Sequence, residues 1–224
     1  MQNLTEGVAR FQRDVFPAKA ELFAHLATHH TPDTLFISCS DARVVPELIT
    51  GTEPGDLFVI RTAGNLVPAH TPEADGISAS IEYAVAALNV KDIIVCGHSA
   101  CGAMTALAEG HDLTAAPAVA SWLRHADASI ARTTKAGDVD ALVRENVRTQ
   151  LANLATHPSV ARALAAGTVT LHGWVYDIPT GNIDDLTASS ARTPVTAMIT
   201  ARPSSVAPPQ AGEGRLNSVP FSNI

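Results

Sequence analysis

Two short segments concentrate the residue types that bind metals and handle protons. One is Cys39-Ser40-Asp41-Ala42-Arg43; the other is Gly97-His98-Ser99-Ala100-Cys101-Gly102. Thiolate and imidazole donors select zinc over magnesium or calcium. A Cys₂His set with one position left open is the pattern of a catalytic zinc. Cys39, His98 and Cys101 are therefore the candidate ligands. Asp41 stands two residues beyond Cys39 and can close the tetrahedron as a fourth ligand. Arg43, two residues further on, can take the same carboxylate in a bidentate pair instead. That choice decides whether water reaches the metal: Asp41 on zinc is closed, and Asp41 on Arg43 is open. Either segment alone is a weak signal. Together, each at the end of a strand, they are a strong one.

The elements that must position these groups are legible as short apolar runs. Thr34–Ser40, Asp56–Arg61 and Asp92–Gly97 are too short for typical helices and rich in β-branched or aromatic residues. They read as strands buried on both faces. Ile77–Leu88 reads as a helix between the last two, so the pattern is a parallel sheet with helical crossovers. In such sheets ligands bind beyond the carboxyl ends of the strands, where both motifs fall. Helices are expected over 4–28, with Pro17 as a kink or break, and over 101–109, 118–132 and 138–156. Asp138 is a candidate N-cap. A short helix over Ser159–Ala166 is closed by Gly167. Thr168–Asp177 alternates and reads as a further strand, at a sheet edge. From Thr187 the composition turns rich in proline and serine, which predicts a loosely attached tail over 187–224 behind a catalytic body over 1–186.

Composition sets the outer limits. The chain has 224 residues, 46% of them hydrophobic and 17% charged, which excludes disordered and disulfide-stapled classes. Its formal net charge of −7 argues against a broad grip on nucleic acid. Three cysteines are an odd number, which favours reduced thiols or metal over a purely disulfide role. The first sixteen residues carry Glu6, Arg10, Arg13 and Asp14 where a signal peptide would have an apolar core. No stretch approaches the roughly 18 apolar residues of a spanning helix. A cytoplasmic protein without membrane partners is the expectation.

The segments SCSDARVVPELI, EPGDLFVIRTAGNLVP, SASIEYAVAAL, CGHSACGAM and LHGWVYD resemble β-class carbonic anhydrases, over roughly residues 8–186. The likeness is to bacterial members of the plant-like branch. The resemblance implies an α/β fold: a mainly parallel β-sheet flanked by helices, with an N-terminal helical arm that packs on a partner subunit. It implies one zinc per subunit on Cys39, His98 and Cys101, an Asp41–Arg43 dyad, and reversible hydration of carbon dioxide to bicarbonate by zinc-bound hydroxide. It also implies a homodimer or higher homo-oligomer with the active site at the subunit interface. Gly102 would offer its N–H to a substrate oxygen, and Phe58, Ala63 and Tyr83 match positions that line the substrate cleft. The sequence departs from the branch at His30, where glutamine is usual nine residues before the first zinc cysteine. Histidine can also donate there. Ala42 replaces a serine, and Thr62 an asparagine. Phe36 stands where a further branch has the tryptophan of an inhibitory bicarbonate site, so no such site is expected.

Taken singly, Cys39 and Cys101 would be ordinary buried thiols, and Asp41–Arg43 a structural ion pair. Cys96, mid-strand among apolar residues, reads as core, and His172 as hydrogen-bonded structure. His25, His70, His111, His125 and His157 belong to no constellation and read as surface. Trp122 and Trp174 read as packing residues or subunit contacts. Two other functions share these residues: hydrolysis of carbonyl sulfide or carbon disulfide, and a non-catalytic zinc or thiol-sensing role. Two thiolates cancel the charge of the metal and leave its water less acidic than a three-histidine site would. Carbon dioxide hydration is therefore expected to rise toward alkaline pH. A rate profile flat from acid to alkaline pH would contradict this.

Overall fold

The computed structural model describes residues 2–188. The proline-rich tail lies outside the described residues, apart from its first two positions. Five strands form one sheet: β1 (Thr34–Cys39), β2 (Leu57–Thr62), β3 (Asp92–His98), β4 (Thr170–Tyr176) and β5 (Ile183–Asp185). Their order is β2-β1-β3-β4-β5. The first four are parallel, and β5 runs antiparallel to β4. The chain thus starts in the sheet at β1, steps to one side for β2, and crosses back for β3. The winding reverses between β1 and β3, the position at which open α/β sheets leave a crevice for ligands.

The helices follow from local chemistry. Among the described residues they are α1 (Gln2–Arg10), α2 (Ala20–Leu26), α3 (Pro46–Thr50), α4 (Gly76–Glu82), α5 (Gly102–Ala108), α6 (Pro117–Leu123), α7 (Asp127–Arg132), α8 (Val139–Leu154) and α9 (Pro158–Ala165). The Asp75 carboxylate caps α4 by accepting from the N–H groups of Ile77 and Ser78. The Asp138 carboxylate caps α8 by accepting from Ala141. Proline at the first turn of α3, α6 and α9 fits positions whose N–H would have no helical partner. Gly167 follows α9 with φ +66°, the left-handed conformation that ends helices.

Four features correct or refine the sequence reading. Over 4–28 the break expected at Pro17 falls at a tight turn over Pro17–Lys19, and the helix before it widens over Phe11–Val15, which the sequence did not show. The predicted helix over 118–132 is interrupted at Arg124–Ala126. The strand at Thr170–Tyr176 is not at the edge, because β5 pairs with its outer side. β5 is only three residues long and α3 only five, too short to leave a periodic pattern.

The main core lies between one face of the sheet and the helices, with Leu35, Ile37, Ile93 and Val95 from the strands against Val143, Val147 and Leu154 of α8. Phe36, Ile94 and Cys96 form a smaller cluster with Trp174. Alternation along β1 and β3 puts that cluster on the other face. Two strand glycines set how close α8 comes. A Cβ at Gly97 would meet Val147 Cγ2 at 2.9 Å, and one at Gly173 would meet Leu151 Cδ1 at 2.8 Å. A side chain at either position would push α8 off the strands that carry the site. Gly173→Ala is accordingly expected to lower stability by about 1–3 kcal/mol through overpacking. Urea denaturation checks it, and an unchanged midpoint would contradict the close approach.

Candidate metal centre

Cys39 ends β1, and His98 ends β3. The two strands pair in parallel with Ser38 opposite Cys96, so Cys39 and Gly97 lie side by side and His98 one step beyond. Ala100 takes φ +52°, which turns the chain sharply after β3. Cys101 follows as the N-cap of α5. The donor atoms of Cys39, His98 and Cys101 all lie within 4.8 Å of one another. All three residues are buried, at 6%, 0% and 1% exposure.

The chemistry of this group fits a metal. His98 Nδ1 lies 2.9 Å from the Ser99 carbonyl, which can only accept, so Nδ1 carries the proton. The lone pair is then on Nε2, which is buried and has no hydrogen-bond partner. A buried acceptor without a partner is costly unless something else coordinates it. The thiols are also poised. The neighbouring Cys101, and after it His98, lower the Cys39 thiol against the cost of burial. The same contact raises Cys101. Two soft thiols and a directed imidazole nitrogen are donors suited to zinc.

Beside this group the Asp41 carboxylate is engaged by arginine. Arg43 Nε donates to Oδ1 at 2.9 Å and Nη2 to Oδ2 at 2.7 Å, and the Arg43 N–H adds a third bond at 2.9 Å. These bonds, those of the guanidinium first, hold the carboxyl well below the usual carboxylate range. Oδ2 is 3.8 Å from His98 Nε2, so Asp41 borders the donor group. Arg43 Nη2 also donates to the Ala100 carbonyl at 3.0 Å, tying the Cys39 loop to the turn before Cys101. Arg61 was missed in the sequence. Its guanidinium donates to the carbonyls of Cys39, Asp41 and Val44 and pins the loop between them. A charged residue near the end of an otherwise apolar strand was the available signal.

The remaining candidate residues divide into two groups. Ala63 and Gly102 lie near the donors: Ala63 directly follows Thr62, the β2 residue paired with Cys39, and Gly102 is the residue after Cys101. His30, Phe58 and Tyr83 are elsewhere. Their rings form a cluster, with centroids 6.3 Å apart for His30–Phe58 and 6.0 Å for Phe58–Tyr83. Phe58 pairs with Leu35, four positions before Cys39, which is about 13 Å along the strand. This aromatic group stands at the start of the strands, and the metal group at their end. His157 corrects the surface reading: it is 2% exposed, and its Nε2 bonds the Pro68 carbonyl. His172 bonds Asp92. No described helix is long and apolar enough to cross a membrane.

Comparison with known proteins gives concordant matches. Residues 34–183 match the family model described as carbonic anhydrase. A carbonic anhydrase of Pseudomonas aeruginosa is 57% identical over 198 residues, covering 86% of this chain and 90% of that protein. The solved structure of the β-carbonic anhydrase CcaA matches with a TM-score of 0.78 and 41% identity, over 83% of this chain and 94% of that one. One of two tetrameric β-carbonic anhydrases from Sordaria macrospora matches with a TM-score of 0.65 and 32% identity, over 85% and 95%.

The three cysteines should differ in reactivity in metal-free protein. Burial pushes the Cys96 thiol up to about 12, far from the thiolate form that alkylating agents need. Iodoacetamide at neutral pH is expected to modify the Cys39–Cys101 pair first, and Cys96 only after denaturation, as mapped by mass spectrometry. Equal labelling of all three in the folded protein would contradict this.

Proposed function

The chain belongs to the β-carbonic anhydrase family, and from that premise we propose that it interconverts carbon dioxide and bicarbonate with one zinc ion held by Cys39, His98 and Cys101. The observation that carries this reading is the buried Cys–His–Cys group with its neighbouring carboxylate taken up by Arg43. A purely structural zinc would want a fourth permanent protein ligand. Asp41 is the available one, and both its oxygens are bonded to arginine.

Zinc, when bound, supplies the Lewis acid that makes a water nucleophilic by lowering its pKa. The residues of the chain do the rest. Asp41, fixed by three bonds from Arg43, stays ionised and can accept a hydrogen bond from the attacking water, which orients its lone pair toward the substrate. The Gly102 N–H opens α5 and has no intrahelical partner by its position, so it can donate to the oxygen on which charge develops. A Cβ at Gly102 would meet nothing within 4 Å.

The separation of the two residue groups supports a homo-oligomer. If His30, Phe58 and Tyr83 line the same cleft as Gly102, they reach it from a second copy, because within one chain they lie at the far end of the strands. The N-terminal arm is suited to such contact. Leu4, Val8, Phe11, Val15 and Phe16 are exposed, and neither α1 nor α2 buries a residue in its own chain. An apolar stripe of this kind is stable in water when a partner covers it.

Stopped-flow carbon dioxide hydration with zinc content measured on the same samples tests the proposal. Zinc-replete wild type is expected to be active at alkaline pH. Arg43→Ala is expected to keep its zinc and lose at least a hundredfold in rate, roughly the scale of a lost preorganising group, because Asp41 is then free to coordinate. A zinc-replete wild type without activity would favour the non-catalytic role, and an Arg43→Ala variant as fast as wild type would refute the gating.

A further inference from the structure

We propose that Ser99 is a positioning residue of the metal centre: its hydroxyl, by accepting the Ile178 N–H, clamps the carbonyl that holds His98 in its metal-binding tautomer. His98 is fully buried, and its Nδ1–H donates to the Ser99 carbonyl at 2.9 Å. That bond leaves the lone pair on Nε2, which borders Asp41 Oδ2 at 3.8 Å and has no hydrogen-bond partner. The hydrogen bond made by one ring nitrogen sets what the other can ligate. A carbonyl does this only while it stays in place. If the peptide rotates, the ring can move its proton to Nε2, and no lone pair is left there for a metal.

Two bonds tie Ser99 to the turn between β4 and β5. Its N–H donates to the carbonyl of Tyr176, the residue paired with His98, at 2.9 Å. Its Oγ accepts the Ile178 N–H at 2.9 Å. The first bond is open to any residue with a backbone N–H; only the second needs this side chain. The turn is braced in its own right. The Asp177 N–H donates to the Asn182 carbonyl and the Gly181 N–H to the Asp177 carbonyl, both at 2.8 Å. Thr180 Oγ1 donates to Asp177 Oδ2 at 2.5 Å. One residue beyond Ser99, Arg43 Nη2 donates to the carbonyl of Ala100, which is left-handed at φ +52°. The Ser99 carbonyl is thus anchored on one side by the β4–β5 turn and on the other by Arg43. Close packing does not account for the serine. Ser99 is half-buried and lines a cavity of about 460 Å³ with Val143, Val175 and Asp177, so its hydroxyl fills no core volume.

The inference rests on the zinc reading, and its test separates the two. Wild type, Ser99→Ala and Ser99→Thr are loaded with zinc. The His98 ring N–H is followed by proton–nitrogen NMR, and zinc affinity is measured by chelator competition. Threonine keeps the acceptor, and the cavity has room for its methyl group. Ser99→Ala is expected to exchange the Nδ1–H with water faster, to move its resonance upfield and to bind zinc about tenfold more weakly. Ser99→Thr is expected to keep the wild-type signal and affinity. A serine with a merely structural role would change stability and leave this ring proton as it is. An alanine variant with wild-type resonance and affinity, or a threonine variant as perturbed as the alanine one, would overturn the inference. If Ser99→Ala does not fold, the threonine variant alone decides: an unchanged ring proton supports the inference, and a shifted one overturns it. A wild type that takes up no zinc would defeat the zinc reading and this inference with it, whereas a zinc-replete wild type with an unperturbed alanine variant defeats this inference alone.

Discussion

The site depends on the parallel pairing of β1 with β3. Parallel strands bring like ends together, so a ligand at the carboxyl end of each arrives at one place without any loop having to reach for it. The pairing also holds the register: Ser38 opposite Cys96 puts Cys39 and His98 within one step of each other. A slip of one residue would exchange the faces of every side chain on the strand. The apolar core on one face, from Leu35 and Ile37 to Ile93 and Val95, makes that slip costly. Gly97 and Gly173 let α8 press directly on β3 and β4, so the same close packing that stabilises the sheet also fixes the floor of the site.

On that floor the electrostatics are arranged by arginines. Asp41 borders the donor group, where an unpaired carboxylate would bind the metal. Arg43 engages both its oxygens and reaches the Ala100 carbonyl as well, so one guanidinium joins the two loops that carry the Cys–His–Cys group. Arg61 donates hydrogen bonds to three carbonyls of the first loop. A planar fork with five donors suits both tasks, and lysine could not replace either. The left-handed Ala100 is a local strain of about 1–2 kcal/mol that these bonds and the strand pairing hold in place.

The distribution of the remaining candidate residues carries a lesson about sequence patterns. Gly102 and Ala63 neighbour the donors in both sequence and space. His30, Phe58 and Tyr83 resemble cleft residues in sequence, yet one chain places them at the opposite end of the strands. A family pattern names residues and does not record where in one chain they lie. Trp122 shows the converse. Its bond to Ala63 joins residues 59 positions apart, and nothing in the local sequence around either one announces it.

By itself the sequence determined the donor set, the strands that end in it and the alternation of strand and helix, because these depend on residue type and short-range periodicity. It likewise determined the helix caps at Asp138 and Gly167, whose chemistry acts over three or four residues. Only the tertiary structure decided that Asp41 is engaged by Arg43, that Arg61 pins the ligand loop, that His157 is buried, that β5 covers the outer side of β4, and that His30, Phe58 and Tyr83 stand apart from the metal group. Each of these depends on which long-range neighbours share a small volume, and that is fixed by strand order, helix approach and close packing rather than by any spacing along the chain.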